Sequence, residues 1–475
     1  MALPANFVVR LNARTEVIDG GTALVGGSPT RYVRLSKTAQ HVLHNREVSA
    51  STPVGAQLAD RLLDLGMADP LIDLLAVDGT EYTVVIPVKD RERSLERLLA
   101  SITRATAGHA PRVIVVDDAS ADPVALEKIA QKHNANIVRL KKNLGPAGAR
   151  NAGLAEVTTE FVVFLDSDLV INEQTIPTLL KHFADPRVAL VAPRIASLNH
   201  GGSWIAQYEE TNSSLDLGPE PAAVKPRSSL SWTSSAALAG RTSALSAGFD
   251  ASMRVGEDVD LVWRLSKAGW RIRYEPEAIA EHEHRSSLGQ WFKRKQDYGT
   301  SAVPLATRHP EAIAPAILAP WGIGVMVALL LQRKWSIPVA IVIALIAAVR
   351  GSGRLASAAH PMAMSMSLTA RGAGNAYTQI SALMLRHWWP LTLIGCLFSR
   401  RIRKATLALA LADIGIQYVT KGSHLDPARY GLARRLDDIA YGSGVWLASL
   451  RAGSFAALKP EVTRPVPSQR ASAEK

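Results

Sequence analysis

Between residues 82 and 190 short apolar runs alternate with segments whose apolar positions recur at helical spacing. The runs are "YTVVIPV", "RVIVVDD", "NIVRL" and "FVVFLDSD", and between them lie "SLERLLASI", "PVALEKIAQKH" and "ARNAGLAEV". This rhythm predicts strands joined by amphipathic helices, hence parallel βαβ units in an α/β sheet. It fades after residue 190, where "HGGSWIAQYEETNSSLDLGPEPAAVKPRSS" predicts a long loop over the sheet. Beyond it, "GEDVDLVWRLSKAGWRIRYEP" predicts a helix keeping Val259, Val262, Trp263 and Leu265 apolar, then, past Gly269, a strand returning to the sheet.

The two ends have other textures. Residues 1–78 carry alternating segments "FVVRLNA" and "ALVGGSPTRYVRL" around Gly20 and Gly21, then helical "TAQHVL" and "GAQLADRLLDLG", which predicts a small α+β unit with two hairpin strands and two or three helices. Beyond residue 310, residues 313–331 form a nineteen-residue stretch without a charge, and 335–349 add fifteen more residues. Crossing a bilayer takes about 20 apolar residues, so the first predicts a membrane helix and the second is borderline. Two weaker stretches, "AYTQISALMLRHWWPLTLIGCLF" and "ATLALALADIGIQYV", are interrupted by Arg386, His387 and Asp413 and suit buried helices of a soluble domain as well. The basic "SRRIRK" at 399–404, with Trp388 and Trp389 nearby, points to the cytoplasmic surface of a membrane, with the α/β region on the cytoplasmic side. The Pro-rich, polar stretch from 459 predicts disorder. The expected division is thus 1–78, 79–305, 306–458 and 459–475.

Composition narrows the partners. With 54 Lys plus Arg against 42 Asp plus Glu, the net charge of +12 suits nucleic acid, an anionic membrane or a phosphorylated substrate. The α/β region shows no basic stripe interleaved with aromatics and no reader motif, which argues against nucleic acid. The single cysteine, Cys396, cannot form an intrachain disulfide, and the N-terminal stretch has no secretory-signal pattern.

The candidate chemistry begins at "FVVFLDSD". Asp166 and Asp168, spaced D-x-D at a strand exit, can hold a divalent cation, since Mg2+ or Mn2+ takes oxygen ligands and leaves positions for phosphate oxygens. A turn former or helix cap fits the same two residues. Another strand ends in Asp117 and Asp118, so neighbouring strands deliver carboxylates to one sheet edge, where an acceptor pair can read a pyrimidine N–H or ribose hydroxyls. The glycines of "NLGPAGARNAG", 143–153, match neither the dinucleotide fingerprint nor the P-loop. Arg150 in this turn suits either a nucleotide contact or a surface position at a helix start. Glu257, Asp258 and Asp260 open a helix, where acidic residues also stabilise the dipole. His282 and His284, spaced H-x-H, suit a metal or two unrelated surface positions.

Taken in order, "TVVIPVKDR", "VIVVDDAS", "GPAGARNAGL", "FVVFLDSD", "GEDVDLVWRL…GWRI…P" and the following histidine resemble the family 2 glycosyltransferases over residues 82–300. The resemblance implies the GT-A nucleotide-sugar-binding sheet, a divalent cation (Mg2+ or Mn2+) and inversion at the anomeric carbon. It implies that Asp118, with Asp117 beside it, holds the base, that Pro87, Arg150 and Asp166 belong to the donor-binding set, and that Asp168 is the direct metal ligand. Asp258, second of the Glu257–Asp258 pair, falls on the catalytic base, and His282 on the metal-binding histidine with His284 as competitor.

Within that family the whole chain is similar to the glycosyltransferases of the mycofactocin system, a resemblance extended by "HEHRSSLGQWFKRKQDYGTSA". This implies glucose transfer from UDP-glucose onto the peptide-derived cofactor premycofactocin, with extension through β-1,4 linkages. The pattern "RYVRLSKTAQHVL…LADRLLDLGMADP" resembles the PqqD-like peptide-binding fold, which implies an acceptor or partner site in residues 1–78; a structural extension fits equally. Gln290 in "QWFKRKQ" lacks the Arg-Trp pair of the Q-x-x-R-W motif of processive membrane synthases, which argues against pore-coupled synthesis of long chains. The competing expectations are a membrane-surface transferase acting on a polyprenyl-phosphate or lipid-linked saccharide, and an inactive sugar-nucleotide binder, which the intact Asp258 disfavours.

Overall fold

The structure is a computed structural model describing residues 2–76, 80–106, 110–198, 201–283, 287–356 and 358–463. The chain divides into two compact units, residues 1–286 and 287–475.

The first unit is built on a nine-stranded sheet. Its first four strands run in the order Asn136–Arg139, Arg112–Asp117, Tyr82–Val88, Phe161–Leu165 and are all parallel. Burial on both faces explains their Val-rich sequences: Val84, Val85, Ile86, Val115, Val116, Val162, Val163 and Phe164 are fully buried. The chain steps outward from Tyr82–Val88 through two strands and then crosses back to place Phe161–Leu165 on its other side. A ligand crevice opens at such a reversal, outside the carboxyl ends of the strands. Those ends are Val88, Asp117 and Leu165.

The remaining strands break the parallel pattern. Ala237–Arg241 runs antiparallel to Phe161–Leu165, with Ala237 opposite Leu165, and Val188–Ser197 lies beyond it. Next comes the twelve-residue strand Arg271–His282, parallel to Val188–Ser197 with an irregularity where Arg194 meets Ile279 rather than Pro276. Proline has no N–H for the ladder, so the slip falls where a bond is missing anyway. On the outer side Leu169–Ile171 pairs antiparallel with this strand, Leu169 opposite His282. That register sets Asp168 beside His282.

The stretch expected as one long loop contains the helix Trp204–Asn212, capped by Ser203 accepting from Ala206 N at 3.3 Å and anchored by buried Ile205 and Tyr208. Two apolar anchors on one helical face outweighed the surrounding Gly, Pro and Ser.

Residues 2–76 form a four-stranded and a three-stranded sheet with the helix Pro53–Leu65, more strands than the alternation predicted. Thr52 caps the helix, Pro53 opens it, left-handed Gly66 closes it, and Leu58, Leu62 and Leu63 are buried. Its outer face carries Asp60 and Asp64. Arg271 donates to Asp64 Oδ1 at 3.0 Å, to Asp60 Oδ1 at 2.7 Å and to Asp185 Oδ2 at 2.7 Å. Arg187 reaches the same Asp60 and Asp64 at 3.2 and 3.0 Å, and Arg273 pairs with Asp69. Arg271 and Arg273 are 8% and 2% exposed, so this clamp joins the small unit to the sheet through buried arginines whose partners Asp60 and Asp64 stay partly in water.

The second unit is helical. Leu288–Thr300 packs along the 26-residue helix Pro427–Ala452. A side chain at Gly299 or Gly444 would collide with the facing backbone at Tyr441 or Gln296, so both positions need glycine. Buried Lys295 faces Asp437 at 3.4 Å between the same two helices.

Here the structure corrects the expected spans. Residues 313–331 are not one helix: Ile317–Leu318 is a strand pairing with Glu461–Val462, and the helix that follows, Pro320–Leu330, has eleven residues. Eleven residues rise about 16 Å, roughly half of a bilayer's hydrocarbon core. The borderline stretch instead belongs to the helix Ser336–Arg354, which at nineteen residues is long and apolar enough to cross. The pairing of Glu461–Val462 also gives the start of the expected tail a place in the fold.

Candidate active site

Two loops at the carboxyl edge are stitched together. Asp90 and Ala119 adopt left-handed backbone, with φ of 51° and 60°, which non-glycine residues accept only when their surroundings hold them. The holding bonds are Lys89 Nζ to Ala119 O at 3.1 Å, Asp90 N to Ser120 Oγ at 3.0 Å and Ala121 N to Asp90 Oδ1 at 2.7 Å. Pro87 lies just upstream, in register with Val116.

Asp117 is buried and its Oδ1 accepts from Ser120 N at 2.8 Å. The Asp118 oxygens accept from Leu144 N at 2.6 Å and Gly145 N at 2.9 Å, tying the strand end to the turn that opens the helix Gly145–Leu154. The other Asp117 oxygen, Oδ2, lies 3.6 Å from Arg139 Nε.

Arg150, from that helix, is 2% exposed and binds two carboxylates distant in sequence. Its Nη2 donates to Asp166 Oδ1 at 2.6 Å and its Nη1 to Glu257 Oε1 at 3.2 Å, while its guanidinium lies 5.6 Å from the centre of the Phe249 ring. One buried cation thus joins the strand exit to the helix Glu257–Lys267. That helix begins after left-handed Gly256, and its first turn carries Glu257, Asp258 and Asp260.

Asp258 Oδ1 accepts from Val259 N at 2.8 Å and Oδ2 from Ser235 N at 3.4 Å. Burial raises its carboxyl above the usual range, against the pull of these amides and Arg150. Glu257, 6% exposed, is pushed up to about 7 by burial and then by Asp258 beside it. A carboxylate raised in this way is a stronger base near neutral pH than one in water.

Asp168 faces two cationic or potentially cationic groups. Its Oδ2 pairs with Arg91 and lies 3.5 Å from His282 Nε2. Burial opposes the charged carboxylate, but His282 and Arg91 outweigh it and hold the group well below the ordinary range. Asp166 shifts the other way, through burial and then Asp168, although Arg150 pulls it down.

A carboxylate oxygen and an imidazole nitrogen converging at this distance form a donor pair that Mn2+ or Mg2+ accepts, with its remaining positions left to water or phosphate. Among the described residues no group of three His, Cys, Asp or Glu side chains gathers around one point, so Asp168 and His282 are the protein donors this place offers. His284 lies outside the described residues.

The fold therefore brings Asp117, Asp118, Arg150, Asp166, Asp168, Glu257, Asp258 and His282 to one end of the sheet. Arg91 and Ser235 were given no role from the sequence: Arg91 closes the "TVVIPVKDR" stretch, and a serine in "SWTSSAA" carries no motif. For Ser235 the available signal was position, just before a strand that starts at this edge.

Comparison with known proteins agrees with the geometry. Residues 83–239 match the family described as Glycosyl transferase family 2. The chain is 39% identical over 470 residues to the pre-mycofactocin glycosyltransferase of Mycobacterium tuberculosis, covering 97% of this chain and 98% of that one. An N-acetylglucosaminyltransferase of Mesorhizobium japonicum is 28% identical over 232 residues, 46% of this chain and 55% of its own. Among solved structures, a mannosyltransferase of Pyrobaculum calidifontis in complex with GDP-Man and Mn2+ aligns over 63% of this chain and 87% of its own at 20% identity and a TM-score of 0.36, too loose a likeness to build on. The likeness that spans both chains almost end to end, together with the matched domain, settles the family: the chain belongs to glycosyl transferase family 2.

Proposed function

We propose that the protein transfers glucose from UDP-glucose to a premycofactocin-type acceptor with inversion, and extends the product as a short β-1,4-linked oligosaccharide. The observation that carries this is the 39% identity sustained over 97% of the chain with a relative of that name. In the reaction Asp258 accepts the proton of the acceptor hydroxyl as its oxygen attacks the sugar C1 from the face opposite the diphosphate. The C1–O bond breaks and its electron pair leaves with UDP. Asp117 and Asp118 hold the base, and Asp166, fixed by Arg150 at 2.6 Å, faces the ribose. A divalent cation held by Asp168 and His282 supplies Lewis-acid neutralisation of the leaving diphosphate when bound.

Residues 1–78, as a PqqD-like unit, hold the peptide-derived acceptor. The second unit attaches to the cytoplasmic membrane through its apolar helices, with the catalytic unit on the cytoplasmic side. The test is mass spectrometry of premycofactocin incubated with purified protein, UDP-glucose and Mn2+. A ladder of hexose additions is expected; unmodified acceptor with UDP released would remove this acceptor, and no UDP release would remove the donor.

The alternative is a polyprenyl-phosphate or lipid-linked saccharide as acceptor, favoured by the exposed apolar faces on the second unit, where Leu397 and Phe398 are 70% and 86% exposed. Label from donor appearing in an organic extract would favour it.

A further inference from the structure

Two arginines enter the active site, and they are held differently. Arg150 is buried and bound by two carboxylates, so it cannot leave without stranding both. Arg91 has a side chain 41% exposed, and Asp168 is the one carboxylate paired with it among the described residues. Its backbone is fixed, because it sits between Asp90, pinned by Ser120 and Ala121, and the helix Glu92–Ala105. Only its side chain is free to swing.

The oxygen Arg91 holds is also the one that faces His282. Asp168 Oδ2 lies 3.5 Å from His282 Nε2, and a cation taken up by this pair would claim the same oxygen as the guanidinium. Arginine and metal therefore compete. Resting on the glycosyltransferase reading above, we propose that Arg91 is a placeholder: it neutralises Asp168 while the site lacks metal, and it moves to the diphosphate of the nucleotide sugar when metal and donor enter together.

Charge supports the exchange. The Asp166 and Glu257 carboxylates share Arg150 in both states. In the resting state Arg91 balances Asp168. A divalent cation replacing it leaves one surplus positive charge, and the two negative charges of the donor diphosphate then leave one negative charge over. The released guanidinium cancels it, and its planar fork suits phosphate oxygens. Metal without donor puts a cation beside the guanidinium with no phosphate for it to move to, so Arg91 couples metal uptake to donor uptake.

The test uses the full chain and two probes, Mn2+ followed by its electron paramagnetic resonance signal and UDP followed by calorimetry. Arg91→Gln should bind Mn2+ alone about fivefold more tightly than the native chain at low salt, because a partly exposed competitor has gone. The same variant should bind UDP in the presence of Mn2+ about fivefold or more weakly, and Arg91→Lys should recover part of both effects. Asp168→Ala should lose Mn2+ binding outright. Unchanged Mn2+ affinity in Arg91→Gln with binding lost in Asp168→Ala would overturn the placeholder while leaving the metal site standing. Tighter Mn2+ with unchanged UDP affinity would overturn the transfer to diphosphate. Failure of the native chain to bind Mn2+ with or without UDP would overturn the placeholder and the metal site together.

Discussion

In residues 1–286 large apolar side chains at the surface are scattered: Val17, Val54, Leu74, Val124 and Leu144 among the described residues. In residues 287–475 they line whole helix faces. Ile337, Ile341, Val342, Leu345, Ile346 and Val349 are exposed on one helix, and Leu391, Leu393, Ile394, Leu397 and Phe398 on another. Scattered exposure is normal in water, whereas a contiguous face of this size marks a surface that meets another apolar phase. Only 17% of the most apolar window of Ser336–Arg354 is buried, so most of this helix's apolar surface is left uncovered by the fold. The two units thus differ in how they expose apolar side chains, and the candidate site residues belong to the first. Under the proposed function that division would separate catalysis from attachment.

The comparison breaks most sharply at Asp258. Asp258→Asn should lower transfer by about 10²-fold to 10⁴-fold with UDP binding preserved, read from initial rates beside calorimetry. It should leave vesicle binding untouched, and a loss of vesicle binding in this variant would mean that the two roles are not separable.

The reciprocal change lies in the second unit. Leu397→Asn combined with Phe398→Asn removes the two most exposed residues of the helix Trp389–Phe398. Cosedimentation with vesicles containing phosphatidylglycerol should fall by about tenfold or more if these side chains enter the acyl region. UDP affinity should stay the same.

The smallest effect concerns Glu257, whose carboxyl ionises at about 7 in the folded chain. Between about 4.5 and about 7 the folded state keeps a proton that the unfolded chain has released, so its contribution favours folding at low pH and is lost as pH rises through that window. Glu257→Gln removes this dependence. Relative to the native chain, the melting temperature of the variant should rise by a few degrees as pH goes from 5 to 7, measured by calorimetry. A difference that stays flat would mean that Glu257 is ionised throughout.

How far the sequence told this in advance differs between the units for the same physical reason. In the sheet, apolar runs of five to seven residues punctuated by turn signals are local patterns, and Tyr82–Val88, Arg112–Asp117 and Phe161–Leu165 stand where they predict. Carboxylates at strand exits are equally local. The pairing of Arg150 with Glu257 joins positions 107 residues apart, and the meeting of Asp168 with His282 depends on an antiparallel register, which no spacing along the chain encodes. In the helical unit an apolar run gives composition without length. Residues 313–331 looked continuous, yet Leu318 pairs with Val462 and the helix starts only at Pro320, whose fixed φ suits a first turn.

The clamp on Arg271 and Arg273 has a mechanical consequence. The strand they open, Arg271–His282, ends at His282, so one rigid rod is gripped by the small unit at its start and touches the catalytic edge at its tip. A small unit on a flexible tether samples a volume. This one is bolted. Were residues 2–76 to hold the acceptor, as proposed, it would be presented at a single range and bearing.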